Sequence, residues 1–197
     1  MGCVKRLDDL RERKLTRTIG KVFPCMLELK QKIIRGRGRK IIFRILFVCH
    51  GNICRSPMAE FIMKHLVQQA GLEDQFVISS AATSTEELGN DMYPNAKAEL
   101  KLHKIPFKKR QARQIKSSDY EDWDFIIAMD QANLSNIRYV IGHDPKKKVR
   151  LLMSFTDAGE NRSISDPWYT RDFAKAFNDI KLGCEALLDY YLKERSS

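Results

Sequence analysis

Residues 41–48 read Ile-Ile-Phe-Arg-Ile-Leu-Phe-Val, an apolar run broken only by Arg44. Such a run is expected of a strand covered on both faces, as in a parallel sheet. A helix is predicted directly after it, from Ser56 to about Ala70. Pro57 stands at its first helical position, Glu60 falls in the first turn, and Gly71 supplies the stop. The alternation then repeats. Strands are predicted at Phe76–Ala81, Asp124–Met129 and Val149–Ser154, and helices at Pro94–His103, Gln131–Val140 and Thr170–Glu194. Four rounds of strand and helix imply a three-layer α/β fold, with a four-stranded parallel sheet joined by right-handed crossovers and flanked by helices.

The charge is not spread evenly. The 197 residues include 35 Lys and Arg against 25 Asp and Glu, a net charge of +10, which by itself suggests nucleic acid as a partner. Residues 1–40, however, hold 13 basic and 4 acidic side chains, leaving the rest of the chain almost neutral. We therefore divide the chain into a basic extension, 1–40, and a catalytic domain, 41–197. The extension reads as a weakly amphipathic arm followed by the linker Arg35-Gly36-Arg37-Gly38-Arg39. The neutral domain offers no aromatic and basic platform for single strands, so no nucleic-acid partner is expected. Met1-Gly2-Cys3 resembles an acylation signal, but Arg6 stands where Ser or Thr is needed. No apolar stretch is long enough to span a bilayer, and stable membrane insertion is not expected. An odd number of scattered cysteines, with no secretory signal, points to a reducing, cytoplasmic setting.

Chemistry is concentrated in Val48-Cys49-His50-Gly51-Asn52-Ile53-Cys54-Arg55-Ser56-Pro57. This segment joins the first strand to the first helix, where open α/β sheets build their sites. Gly51 and Asn52 tolerate left-handed backbone, so the loop can wrap and aim its N–H groups at one anion. The helix start adds its positive dipole end, and Arg55 adds a planar fork matched to phosphate oxygens. Cys49 lies at the base of this positive field, which favours its thiolate and in-line attack on phosphorus. A buried core cysteine followed by a turn is the plain alternative, and the strand, loop and Ser56-Pro57 context argues against it. A zinc pair of Cys49 and Cys54 lacks further ligands at sensible spacing, and no metal and no organic cofactor is expected.

The segment closely resembles the signature of the low-molecular-weight protein tyrosine phosphatases, V-C-x-G-N-x-C-R-S. The resemblance runs from about Ile45 to the closing helix. It takes in Ser80-Ala81-Ala82-Thr83, Ala112-Arg113-Gln114, Met129-Asp130 and Asp166-Pro167-Trp168-Tyr169. It implies the phosphotyrosine phosphatase I-like fold and hydrolysis of aryl phosphate monoesters through a phosphocysteine on Cys49. Arg55 is then the phosphate clamp and transition-state stabiliser, and residues 50–55 (His50, Gly51, Asn52, Ile53, Cys54 and Arg55) form the phosphate-binding loop. Asp166 matches the family's general acid, protonating the leaving phenolate and then accepting a proton from water. An ordinary Asp-Pro turn is the alternative reading of Asp166-Pro167. Asp130 is read as the start of the helix after the third strand, and Asp157 as a further acid near a strand end.

By the same resemblance Trp168, Tyr169 and His50 line the substrate mouth. Packing onto the core, or facing solvent in the case of His50, is the alternative. Asn52, Ser56 and Ser80 support the loop, and Cys54 protects Cys49 by a reversible disulfide. Cys184 reads as a core residue. Where relatives carry His before Ala-Arg-Gln, this chain has Arg110. The implied partners are phosphotyrosine proteins or peptides and phosphate- or sulfate-like anions, with the chain acting as a monomer. A protein-arginine phosphatase of the same fold is the runner-up, although such enzymes usually carry Thr where Ile53 stands. An arsenate reductase needs relay cysteines that are missing between Cys54 and Cys184. A binder acting through the basic arm is the remaining alternative.

Overall fold

The computed structural model describes residues 42–157, 159 and 161–194. The arm and linker expected within residues 1–40 lie outside the described residues. The first strand, β1 (Phe43–Cys49), is the hub of the sheet. Ile45, Leu46, Phe47 and Val48 have no exposed surface, because layers cover both faces of the strand. β2 (Phe76–Ala82) pairs along the whole of β1 on one side, and β3 (Phe125–Ala128) pairs on the other. β4 (Val149–Leu151) extends the sheet beyond β3. All pairings are parallel and the order is β2-β1-β3-β4.

Side chains alternate across the sheet, so β1 feeds two cores. Ile45 and Phe47 join α1 (Arg55–Ala70), α2 (Pro94–Leu102) and the closing helix α6 (Phe173–Glu194). Leu46 and Val48 join Ile126, Ile137 and Tyr120 on the opposite face, under α4 (Gln131–Ile141). Gly71 ends α1 in left-handed backbone, φ 66°, with its N–H bonded to the Gln68 carbonyl.

Three boundaries and one additional helix depart most clearly from the sequence reading. α1 begins at Arg55, and no acid lies in its first turn; Glu60 sits farther along, turned inward. The fourth strand stops at Leu151, because Leu152–Phe155 tightens into a 3₁₀ turn. Ser154 Oγ donates to the Leu151 carbonyl and Thr156 Oγ1 to that of Met153, taking acceptors that a ladder would use. The last helix starts at Phe173, not Thr170. A separate turn, α5 (Pro167–Thr170), precedes it and is closed by Arg171 at φ 61°. A short helix not foreseen, α3 (Asp119–Asp122), forms because Asp119 gathers Arg113, the Lys116 N–H and Trp123 Nε1.

α6 lies close against the 3₁₀ turn. A Cβ added at Gly183 falls 2.5 Å from Leu152 Cγ, and Leu152 is fully buried and has nowhere to move. Gly183→Ala is expected to destabilise the fold by about 1–3 kcal/mol. A melting-temperature drop of about 2–10 °C is the corresponding result, and an unchanged melt would show that the turn yields freely.

Candidate active site

The loop from His50 to Cys54 joins the end of β1 to α1, with the ends of β2 and β3 on either side. Asn52 takes the left-handed conformation, φ 58°. Gly51 does not, contrary to expectation. Its lack of a side chain serves close approach instead, since a Cβ there falls 3.1 Å from Glu87 Cγ.

Cys49 is nearly buried, with Sγ 3.1 Å from Ser56 Oγ. Asn52 Nδ2 donates to Ser56 Oγ at 2.8 Å and to Ser80 Oγ at 2.9 Å. Ser80 Oγ in turn donates to Glu60 Oε2 at 2.6 Å. Glu60, missed in the sequence, is thus tied to the loop and also pairs with Lys64. Arg110, at the position where the resemblance implies His, completes the network. Its guanidinium donates to the Asn52 carbonyl at 2.7 Å and to Asn52 Oδ1 at 2.5 Å.

Arg55 is 2% exposed, and both terminal nitrogens of its fork are engaged. Nη1 donates to Asp130 Oδ2 at 2.5 Å and to the Ile164 carbonyl at 3.0 Å, while Nη2 donates to the Asp166 carboxylate. Burial opposes the guanidinium charge, but Cys49, Asp166 and Asp130 overcome it and hold its pKa above the ordinary value. Asp130 does start α4, accepting the Asn133 N–H through Oδ1 at 2.6 Å. Its second oxygen grips Arg55, a role with no local sequence signal. Asp166 caps α5 through the Trp168 N–H at 3.1 Å. Asp157 lines a different groove, with Phe155, Leu182 and Tyr190.

One pocket brings together Cys49, His50, Gly51, Ile53, Cys54, Arg55, Asp166, Trp168 and Tyr169. Glu86 and Glu87 complete its rim and were missed, because two acids in a loop look like solvated surface. His50 Nε2 lies 3.1 Å from Glu86 Oε2. Tyr93 meets the Trp168 ring edge-on at 5.3 Å, and Tyr169 is 80% exposed. Cys54 is a buried neighbour of different character. Burial, with Cys49 and Asp166 adding to it, pushes its thiol up to about 12. It stays protonated at neutral pH and is a poor nucleophile. Cys184 is buried in α6, and no cluster among the described residues could hold a metal ion.

The family model for low molecular weight phosphotyrosine protein phosphatases matches residues 44–197. The chain belongs to this family. It is accordingly a cysteine-dependent protein-tyrosine phosphatase, a hydrolase. The low molecular weight protein-tyrosine-phosphatase YfkJ of Bacillus subtilis is 36% identical over 151 residues, 77% of this chain and 97% of the relative. The YfkJ crystal structure matches with a TM-score of 0.76 over 81% of this chain and 99% of that one. The Schizosaccharomyces pombe low molecular weight phosphotyrosine protein phosphatase is 40% identical over 127 residues, 64% of this chain and 81% of the relative. The Drosophila arginine phosphatase DARP is 34% identical with a TM-score of 0.68, covering 75% of this chain and 96% of that one.

Proposed function

We propose that this phosphatase dephosphorylates phosphotyrosine in proteins or peptides, with Cys49 as nucleophile, Arg55 as phosphate clamp and Asp166 as general acid and base. The observation that carries the reading is that all three line one pocket although Asp166 lies far along the chain. Arg55 Nη1 is held by Asp130 and Ile164, so the guanidinium plane stays fixed while Nη2 faces the pocket. A phosphate in the loop takes over Nη2 and frees the Asp166 carboxyl for the leaving oxygen. The sulfur attacks phosphorus, an S–P bond forms as the P–O bond to the ring breaks, and Asp166 gives its proton to the phenolate oxygen. Water then attacks the phosphocysteine and Asp166 takes its proton. The S–P bond breaks, releasing inorganic phosphate and the cysteine.

Asn52, Ser56 and Ser80 hold the loop, and Trp168, Tyr169 and His50 receive the substrate ring; once a peroxide has oxidised Cys49 to its sulfenic acid, Cys54 can condense with it, with loss of water, to a reversible disulfide that guards it from irreversible oxidation. The enzyme works as a cytoplasmic monomer, its catalytic domain spanning 41–197 and preceded by the basic extension 1–40. No helix among the described residues is long and apolar enough to cross a membrane.

The apolar Ile53 in the pocket favours a phenyl ring over a guanidinium. The carboxylates of Glu86 and Glu87 and the likeness to DARP favour phosphoarginine as the second reading. Initial rates on one peptide carrying either phosphotyrosine or phosphoarginine decide between them. We expect phosphotyrosine to be preferred by at least about tenfold in kcat/KM. The reverse order would make the enzyme an arginine phosphatase.

A further inference from the structure

We propose that Arg110 is a positioning residue whose permanent charge, delivered through Asn52 and Ser56, orients the hydrogen bond at the Cys49 sulfur. This rests on the reading of Cys49 as the nucleophile. Asn52 is fully buried and left-handed, so both its carbonyl and its side chain need fixed partners. Arg110 supplies both from one planar fork, at 2.7 Å and 2.5 Å. The Arg113 N–H adds a weaker contact to Asn52 Oδ1 at 3.3 Å.

With two donors on Oδ1, the Asn52 amide has one orientation. Its Nδ2 must face Ser56 and Ser80, to which it donates. Ser56 Oγ therefore accepts from Asn52 and keeps its own hydrogen, with Cys49 Sγ at 3.1 Å and the Ala81 carbonyl at 3.3 Å as acceptors. A Cys49 thiolate can only accept, so in that state the Ser56 hydrogen turns to the sulfur and Arg110 sets the direction of a chain of N–H and O–H donors that ends there.

The charged groups around Arg110 are accounted for. Glu60 on α1 has Oε2 3.8 Å from the Arg110 Nε, while its Oε1 is paired with Lys64. Asp91, which accepts the Arg110 backbone N–H at 3.2 Å, is paired with Lys97 at 2.7 Å. Arg113 is occupied by Asp119. Arginine stays charged at any pH a protein survives. An imidazole in the same place loses its charge between about pH 6 and 8. The support of this loop is therefore indifferent to pH where one built on histidine is not.

The test is hydrolysis of p-nitrophenyl phosphate from pH 5 to 9 by wild type, Arg110→Met, Arg110→Lys and Arg110→His, each with a thermal melt. Arg110→Met should lower kcat by about 10–100-fold with KM within about threefold, the scale of one lost charge-assisted hydrogen bond. Arg110→Lys should restore part of kcat, since the charge returns without the fork. Arg110→His should add a limb absent from wild type, with kcat/KM falling about tenfold as pH rises through the imidazole range. Wild-type kcat in Arg110→Met would overturn the proposal. So would losses in all three variants that track only the folded fraction, or an Arg110→His profile parallel to wild type. Cys49→Ser, run alongside, separates the two readings: activity surviving in it removes the nucleophile assignment whatever Arg110 does.

Discussion

Cys49→Ser is expected to lower the turnover of aryl phosphates by on the order of 10⁴–10⁶-fold while leaving anion binding almost intact. Serine has nearly the shape of cysteine, so the buried position and its contact with Ser56 at 3.1 Å are kept. What is lost is an ionisable atom, since a serine hydroxyl next to a bound dianion stays protonated and attacks poorly. Arg55 and the loop remain, so inhibition of wild type and binding to the variant by inorganic phosphate should agree within about threefold. Cys54 cannot replace the lost sulfur, because its thiol, pushed up to about 12, is protonated at neutral pH. Single-turnover measurement of released nitrophenol is the check. A burst in Cys49→Ser equal to that of wild type would remove Cys49 from the chemistry.

Asp166→Asn has the second largest expected effect, about 10²–10⁴-fold in kcat for phenyl phosphate. Asparagine still caps α5 by accepting the Trp168 N–H, so the loop is kept, while the transferable proton is lost together with the negative charge opposite Arg55. The loss should depend on the leaving group. Nitrophenolate leaves readily without a proton, whereas phenolate and tyrosine need one. A series of ring-substituted phosphates should therefore show a steeper dependence on leaving-group acidity in Asp166→Asn than in wild type. Equal slopes would place the acid elsewhere. Asp130 is a poor substitute, because both its oxygens are committed, one to the Asn133 N–H and one to Arg55.

Much of this was legible in the sequence, and for identifiable reasons. β1 and β3 are visible because a sheet covered on both faces leaves continuous apolar runs, as at Ile45–Val48. The loop is visible because its residues are contiguous. What escaped was long-range. Asp130 could be recognised as a helix start from its neighbours, but nothing near it says that its second oxygen meets Arg55 from across the sheet. Glu60 looked like a first-turn acid, but the helix starts at Arg55, and Glu60 lies beyond the first turn and accepts from Ser80. Arg110 stood out only as a departure from the resemblance, for the same reason. Whether an arginine can fill a histidine's place depends on the distance to Asn52, which no local pattern encodes. Gly51 shows the opposite error, a residue correctly singled out for the wrong physical cause.

The three contacts that converge on Arg55 also say something about how the enzyme comes into being. Its partners lie 75, 109 and 111 residues away along the chain. Each is a closure of very long sequence separation, and such closures are made only after the nearer pairings have shortened the path between their ends. Recovered turnover in a refolding experiment therefore marks the end of assembly and lags signals from α1 or the β1–β2 pairing. The enzyme's own reaction is a clock for its last folding event.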